Sequence, residues 1–184
     1  MQQYGSELEK RCRPHLRLTN DSWRVDETYI KIKGKDRDLY RAVDSTGQTL
    51  DFLLTAHRDA QAAKRFLRTA MSTVHTQEPR VINVDKNAAD ATAVDELKKN
   101  KTLSKSVELR QNKYLNNRVE RDHKFIKRPV KPGMGNVARS TRLWRSIKGC
   151  EIMNMLRKGQ VKKVAKGSVR ERVRFIAEIF RVAA

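Results

Sequence analysis

The stretch Ser22-Trp-Arg-Val-Asp26-Glu-Thr-Tyr-Ile-Lys-Ile-Lys33 decides the fold, because it predicts a strand with a carboxylate in its interior. β-Branched and aromatic residues recur through it, which favours a strand over Trp23–Lys33. The two-residue period of a strand places Asp26 on one face with three neighbours, Thr28, Ile30 and Ile32. A carboxylate beside apolar side chains is costly to desolvate unless it is paired or binds a metal. Asp26 is therefore the first candidate functional residue.

The segments after this strand predict an antiparallel meander covered by a helix. Leu39–Val43 and Thr49–Thr55 are further β-type runs, and turn sequences separate the three strands. Asp59–Val74 has the apolar spacing of a helix with one buried stripe, made of Ala63, Phe66, Leu67, Ala70, Met71 and Val74. This helix is expected to cover the sheet.

A second carboxylate ends the next predicted strand. Val81–Val84 is a short apolar run that follows the helix, as in a parallel crossover, and Asp85 comes directly after it. Ligands and metals usually lie at the strand ends of α/β sheets. Ala88–Lys99 then predicts another helix, and Ser106–Leu109 predicts a short fifth strand.

A third carboxylate stands among cations in Asn116-Asn-Arg-Val-Glu120-Arg-Asp-His-Lys-Phe-Ile-Lys127-Arg-Pro-Val-Lys131, where we expect a helix. On a helix, Lys127 lies two turns after Glu120 on the same face, with His123 and Lys124 between them. A gap of 34 residues separates Glu120 from Asp85. Three acids in such settings point to a shared cation.

Taken singly, each of these residues also fits a structural role. Asp26 fits a surface acid of a strand, and Asp85 fits an N-cap for the helix that follows it. Glu120 fits an exposed partner of Lys124 at i+4. His123 fits a phosphate contact or a hydrogen bond to a metal ligand, and it fits a structural histidine equally well.

The charge of the chain indicates a polyanionic partner. Its 184 residues include 41 Lys or Arg against 21 Asp or Glu, a net charge of +20. Residues 101–148 alone carry 14 cations against three acids. Nucleic acid fits this excess better than a membrane does, because neither an amphipathic basic anchor nor an apolar run of spanning length stands out.

The two ends of the chain carry weaker signals. Residues 1–22 are polar and basic, and we interpret them as an exposed segment. Cys12 and Cys150 are too few for a disulfide framework or a thiolate metal site, so we expect a reducing cytoplasm. Apolar spacing in Ala138–Arg157 and Ser168–Val182 predicts two C-terminal helices.

Eight motifs spread over residues 20–160 form a family pattern: Asp21-Ser-Trp-Arg-Val-Asp-Glu-Thr-Tyr-Ile30, Leu39-Tyr-Arg-Ala-Val-Asp44, Leu50-Asp-Phe-Leu-Leu54, Asp59-Ala-Gln-Ala-Ala-Lys-Arg-Phe66, Val84-Asp-Lys86, Tyr114-Leu-Asn-Asn-Arg-Val-Glu-Arg-Asp-His123, Arg128-Pro-Val-Lys-Pro-Gly-Met-Gly135 and Met155-Leu-Arg-Lys-Gly-Gln160. Together they resemble the DDE transposases of bacterial insertion sequences, in the group named after insertion sequence six. The resemblance implies an α/β fold of the ribonuclease H-like, retroviral integrase-like kind, with a mixed sheet flanked by helices and a helical C-terminal extension. It divides the chain into a linker or remnant of a DNA-binding region (1–22), a DDE catalytic domain (23–135) and the helical extension (136–184).

The same resemblance implies an activity and its residues. Asp26, Asp85 and Glu120 would be the catalytic triad and would hold two Mg²⁺ ions, with Mn²⁺ able to substitute. Cleavage at the ends of the element would free a 3′-OH, which would then join to target DNA. The residues expected to contact DNA are Arg121, His123, Lys124, Lys127, Arg128 and Lys131. Double-stranded DNA, a homo-oligomer and a bacterial, nucleoid-associated location complete the expectation.

Several features depart from the family pattern. About 25 residues precede Asp26 where family members carry a helical DNA-binding segment. Asp90 and Asn136 stand where aromatic residues are usual, and Pro129 stands where a basic residue is common. Two other interpretations therefore stay open: a catalytically silent, truncated remnant that only binds DNA, and a basic RNA-binding protein of ribosomal type.

Overall fold

A computed structural model describes residues 4–32, 35–85, 87–112, 123 and 140–182. Its strands are β1 (Ser22–Ile32), β2 (Lys35–Asp44), β3 (Thr49–Thr55), β4 (Val81–Val84) and β5 (Glu108–Gln111). Its helices are α1 (Gly5–Cys12), α2 (Ala60–Ser72), α3 (Ala88–Lys99), α4 (Ser140–Arg157) and α5 (Val169–Phe180), with a 3₁₀ turn at Arg13–His15. None of the helices within these ranges has the length and apolar character that a membrane span requires.

The five strands form one mixed sheet in the order β3-β2-β1-β4-β5. β1, β2 and β3 are antiparallel neighbours, whereas β4 runs parallel to β1 and β5 runs parallel to β4. The predicted meander and the parallel crossover are thus confirmed. β2 is longer than predicted because it pairs with β1 along its whole length, from Trp23 opposite Asp44 to Ile32 opposite Lys35. β5 begins two residues later than the predicted Ser106–Leu109.

Helix α2 follows its predicted pattern except at its C-terminal end. Asp59 is the N-cap, and its Oδ1 accepts a hydrogen bond of 2.7 Å from the amide of Ala62. The helix ends at Ser72, because Thr73 has an extended ψ of 136°. Val74 therefore leaves the buried stripe and is 92% exposed, so its predicted burial was wrong.

Helices α2 and α3 cover one face of the sheet. The core on this side gathers Trp23 and Val25 of β1, Tyr40 and Ala42 of β2, and Ile82 and Val84 of β4, with Ala63, Phe66 and Leu67 of α2 and Val94 and Leu97 of α3. Trp23 and Val25 are odd-numbered positions of β1. The alternation thus turns Trp23 and Val25 toward α2 and α3, whereas Tyr29, on the same side of the strand, is 64% exposed.

Helices α1, α4 and α5 contribute to the hydrophobic core that contains the even-numbered position Ile30. The core here joins Ile30, Leu39 and Phe52 of the sheet to Leu8, Cys12, Leu16, Ile147, Met155 and Phe175. Cys12 is 0% exposed, so the interpretation of residues 1–22 as an exposed segment was wrong. The division into residues 1–22, 23–135 and 136–184 stays a prediction, and described residues of all three segments pack into this one cluster.

The last helix buries Phe175 in the core, and Ile176, Ile179 and Phe180 are partly buried against the same cluster. Ser168 caps α5, and its Oγ accepts a hydrogen bond from the amide of Glu171. Phe175 is 4% exposed, whereas Val169 and Val173 are 62% and 57% exposed. The helix therefore packs through Phe175 and leaves its valines on the surface.

Candidate active site

The parallel pairing of β1 with β4 brings Asp26 and Asp85 together. Trp23 lies opposite Ile82 and Arg24 opposite Asn83, a constant offset that places Asp26 opposite Asp85 when it is continued. Neighbouring strands lie about 4.8 Å apart. The Asp26 side chain is 14% exposed, and Asp85 is half-buried at the end of β4. Two of the three predicted carboxylates thus lie just beyond the β1–β4 pairing, and the charges of both help to raise the pKa of Asp90.

His123 contacts this pair from a distant part of the sequence. Its Nδ1 lies 3.5 Å from Oδ2 of Asp26, and the two side chains are 8% and 14% exposed. The sequence left three roles open for His123: a contact to a DNA phosphate, a hydrogen bond to a metal ligand, and a structural role. In the structure it lies beside the Asp26 carboxylate.

The remaining predicted site residues lie outside the described part of the chain. They are Glu120, Arg121, Lys124, Lys127, Arg128 and Lys131. Their roles stay predictions. Within the ranges that the structure describes, no three His, Cys, Asp or Glu side chains could by themselves hold a metal ion.

The Asp26–Asp85 pair is chemically suited to a divalent cation. Mg²⁺ prefers carboxylate oxygens, and two half-buried carboxylates on neighbouring strands repel each other unless a cation lies near them. Both side chains retain some exposure, which leaves access for an ion and a phosphate. The donors that are present therefore fit the Mg²⁺ that the sequence led us to expect.

Glu27, the residue after Asp26, faces the opposite side of β1, although the charge of Asp85 also acts on it. Its side chain is 2% exposed, and its Oε2 accepts a hydrogen bond of 2.7 Å from Nη2 of Arg58. Asp90, in the first turn of α3, is buried beside it. Desolvation, followed by the charge of Asp90, raises the pKa of Glu27 to about 8. Desolvation also raises the pKa of Asp90.

Arg41 lies opposite Asp26 on β2 and anchors the strand pair to α4. Its Nε and Nη2 donate hydrogen bonds of 2.6 and 2.9 Å to Oε1 and Oε2 of Glu151, and both side chains are 0% exposed. Sequence reasoning missed this pair. The signal that could have found it is a lone arginine inside the apolar run Leu39–Val43.

Comparison with known proteins gives a matching family model and similar transposases. A family model described as a DDE domain matches residues 20–160. The chain is 36% identical over 137 residues to the transposase for the insertion sequence-like element IS431mec of Staphylococcus aureus (strain Mu50), covering 74% of this chain and 58% of that protein. The same values hold for the Staphylococcus aureus transposase for insertion sequence element IS257 in transposon Tn4003. The chain thus spans 58% of the length of these relatives.

Solved structures share the fold at lower identity. The HTLV-2 integrase catalytic core domain, in complex with magnesium in its trimeric form, superposes with a TM-score of 0.58 at 18% identity, over 80% of this chain and 90% of that one. The catalytic core domain of BIV integrase gives a TM-score of 0.52 at 12% identity, over 86% and 96% of the two chains. The predicted α/β, ribonuclease H-like fold of the retroviral integrase kind is therefore confirmed.

The motifs, the paired aspartates and the comparisons agree on one family. The matched residues 20–160 contain both strands of the carboxylate pair and most of the flanking helices. The alternative of a ribosomal RNA-binding protein is not supported, because the similar proteins are transposases and the fold is that of integrase catalytic cores. The chain belongs to the DDE transposases of bacterial insertion sequences, in the insertion-sequence-six family.

Proposed function

We propose that this chain cleaves DNA at the ends of an insertion sequence and joins the freed 3′ ends to target DNA. The observation that carries the proposal is the position of Asp26 and Asp85, which lie just beyond the parallel β1–β4 pairing in a chain with an integrase-like fold. The similarity to two transposases supports it.

Asp26, Asp85 and Glu120 would form the catalytic set and hold the metal. Divalent ions bound there, two Mg²⁺ or Mn²⁺ in their place, would supply Lewis acidity at the scissile phosphate. The β1–β4 pairing ends at Arg24 and Asn83, two residues before Asp26 and Asp85, and would orient both carboxylates before DNA arrives. His123 borders the Asp26 carboxylate and would hold its orientation.

Double-stranded DNA is the proposed substrate and partner, both as element end and as target. Arg121, Lys124, Lys127, Arg128 and Lys131 would neutralise phosphates near the catalytic carboxylates, which predicts strongly salt-dependent binding. We also propose that the chain works as a homo-oligomer on the bacterial nucleoid. The HTLV-2 integrase core has been solved in trimeric and dimeric forms, which supports assembly in a protein of this fold.

The test is metal-dependent DNA chemistry by the wild type and by three single variants, Asp26→Asn, Asp85→Asn and Glu120→Gln. Nicking of supercoiled plasmid in Mg²⁺ needs no recognition sequence, and joining of a pre-cleaved duplex carrying the terminal repeat that flanks the gene tests strand transfer. Each variant should lower both rates at least about 100-fold. Loss of a group that only hydrogen-bonds to a metal ligand costs up to about 100-fold, and loss of a ligand itself should cost at least as much.

Asp95→Asn is the matched control, since Asp95 is an exposed aspartate on α3. It should leave both rates unchanged. Salt-sensitive DNA binding without nicking or joining would instead favour the silent remnant, an alternative that the family match and the similarity to transposases do not favour.

A further inference from the structure

The loop between α4 and α5 is held firmly against the N-terminal segment. Leu16 and Val161 form an antiparallel bridge and are both buried. On either side of it, the amide of Arg17 donates to the carbonyl of Gln160, and the amide of Lys162 donates to the carbonyl of His15, both at 2.8 Å. The backbone of this loop is therefore bonded to the N-terminal segment on both sides of Val161.

Those exposed side chains are cations. We call them the C-terminal basic surface, which consists of Arg17, Lys162, Lys163, Lys166 and Arg170, all exposed. Between Lys158 and Arg181 the chain has eight Lys or Arg against two acids. This concentration lies outside residues 101–148, where the sequence had located the DNA-binding charge.

Acidic side chains do little to neutralise this surface. Lys163 reaches Glu178 at 3.9 Å, with the two side chains 78% and 61% exposed, so solvent screens that pair. The carboxylate of Glu171 accepts a hydrogen bond from the amide of Ala165. No acid in the described ranges lies within ion-pair distance of the other four cations. Lys162, Lys163, Lys166 and Arg170 lie within nine residues of the sequence, so their like charges repel one another, and a polyanion relieves the repulsion.

The surface lies away from the catalytic carboxylates. Lys158, next to the loop, donates from Nζ to the carbonyl of Gly47 at 2.7 Å, in the turn between β2 and β3. That turn adjoins Asp44, which pairs with Trp23 at the start of β1. Asp26 lies three residues further along β1, about 10 Å toward the opposite end of the sheet. A phosphate at the C-terminal basic surface is thus not a phosphate undergoing chemistry.

We propose that the C-terminal basic surface binds the backbone of duplex DNA outside the catalytic site. The proposal rests on the proposed function for its choice of DNA over other polyanions. It assigns a purely electrostatic, sequence-independent contact to the α4–α5 loop, so the chain grips DNA at a second place while the carboxylates act on another.

The test compares two triple variants of the full chain that change the net charge equally. Lys162→Gln/Lys163→Gln/Lys166→Gln removes cations from the surface. Lys31→Gln/Lys35→Gln/Lys99→Gln removes exposed lysines elsewhere and is the control. The measurement is the affinity for a random-sequence duplex by fluorescence anisotropy across a salt series, with thermal unfolding to verify that both variants fold.

The slope of log affinity against log salt should become shallower by about 2 to 3 in the surface variant, since each lost phosphate contact removes about 0.9. The control should change it by less than about 1. Equal changes in both variants would overturn the proposal, as would a loss seen only with duplex RNA.

Plasmid nicking separates the two proposals. A wild type that fails to nick while the slope still falls refutes the proposed activity alone, and a nicking enzyme with an unchanged slope refutes the second DNA contact alone.

Discussion

At the scale of single residues, the alternation of β1 gives two adjacent acids opposite fates. Asp26 faces Asp85 and His123 at the site, whereas Glu27 faces Arg58 and the buried Asp90. A carboxyl whose pKa is near 8 is mostly protonated at neutral pH, so Glu27 adds little negative charge to that of Asp26. Burial in this strand thus holds Glu27 nearly neutral beside the site.

Asp90→Asn should stabilise the protein, and more at pH 8 than at pH 5. The raised pKa of Glu27 means that the folded state retains a proton that the unfolded state releases above its ordinary value of 4.5. Stability is therefore lost as the pH rises from about 4.5 to about 8. Removing the Asp90 charge lowers that pKa, and each unit of lowering is worth about 1.4 kcal/mol. Urea unfolding with a chelator present, at the two pH values, measures the difference.

Asp95→Asn is again the control, because it removes an exposed acid from the same helix. It should show no such dependence on pH. An Asp90→Asn protein whose gain is the same at both pH values would contradict the account of Glu27.

At the scale of elements, helix α2 begins at an N-cap, Asp59. Asp59→Ala removes the acceptor for the Ala62 amide and should cost about 1 kcal/mol. For a chain of this length that corresponds to a fall of about 2–4 °C in Tm. Differential scanning calorimetry measures it.

Gln61→Ala is the comparison, since Gln61 is exposed in the first turn of the same helix. It should leave Tm within about 1–2 °C of the wild type, because surface changes away from such features stay within about 0.5 kcal/mol. Equal losses in both variants would mean that the cap contributes nothing specific.

Elements whose own residues carry a periodic signal could be predicted, and those fixed by distant contacts could not. β1 is recognisable from its two-residue alternation, and α2 is recognisable from its apolar stripe. β5 is a four-residue edge strand whose bounds are set by pairing with β4, so its prediction was two residues off. Helix α1 buries only Leu8 and Cys12 among its apolar residues, against α4, and no local pattern in residues 1–22 reveals that partner.

The same distinction holds in the candidate site. Asp26 and Asp85 could be found because Asp26 lies within, and Asp85 directly after, a segment whose own residues predict a strand. Arg41 and Glu151 are 110 residues apart, and their pairing exists only once α4 covers the sheet. The proximity of His123 to Asp26 is likewise a product of the fold.

At the scale of the whole molecule, the Arg41–Glu151 ion pair joins the sheet to the C-terminal helices. Removing one partner leaves a fully buried charge, so Arg41→Met or Glu151→Leu alone should cost about 3–5 kcal/mol. The double variant should lose less than either single variant, because two apolar groups replace the pair together. A double-mutant cycle from urea unfolding measures the coupling.

Additive losses in that cycle would contradict the pairing. Lys148→Met is a suitable control on the same helix, since its partner Glu9 also accepts a hydrogen bond from Arg13. Loss of Lys148 therefore leaves Glu9 with another cation, and the cost should be about 1 kcal/mol or less.

The packing of α1 against α4 also decides how the protein meets alkylating reagents. Cys12 and Cys150, the two cysteines of the chain, are free thiols buried in one cluster. Desolvation raises the pKa of Cys12 to about 12 and raises that of Cys150, so neither offers the reactive thiolate in the folded state. A covalent label at either position therefore records the moments at which the two helices separate. The rate of alkylation at these two native cysteines therefore reports the rate of local opening, and no engineered probe is needed.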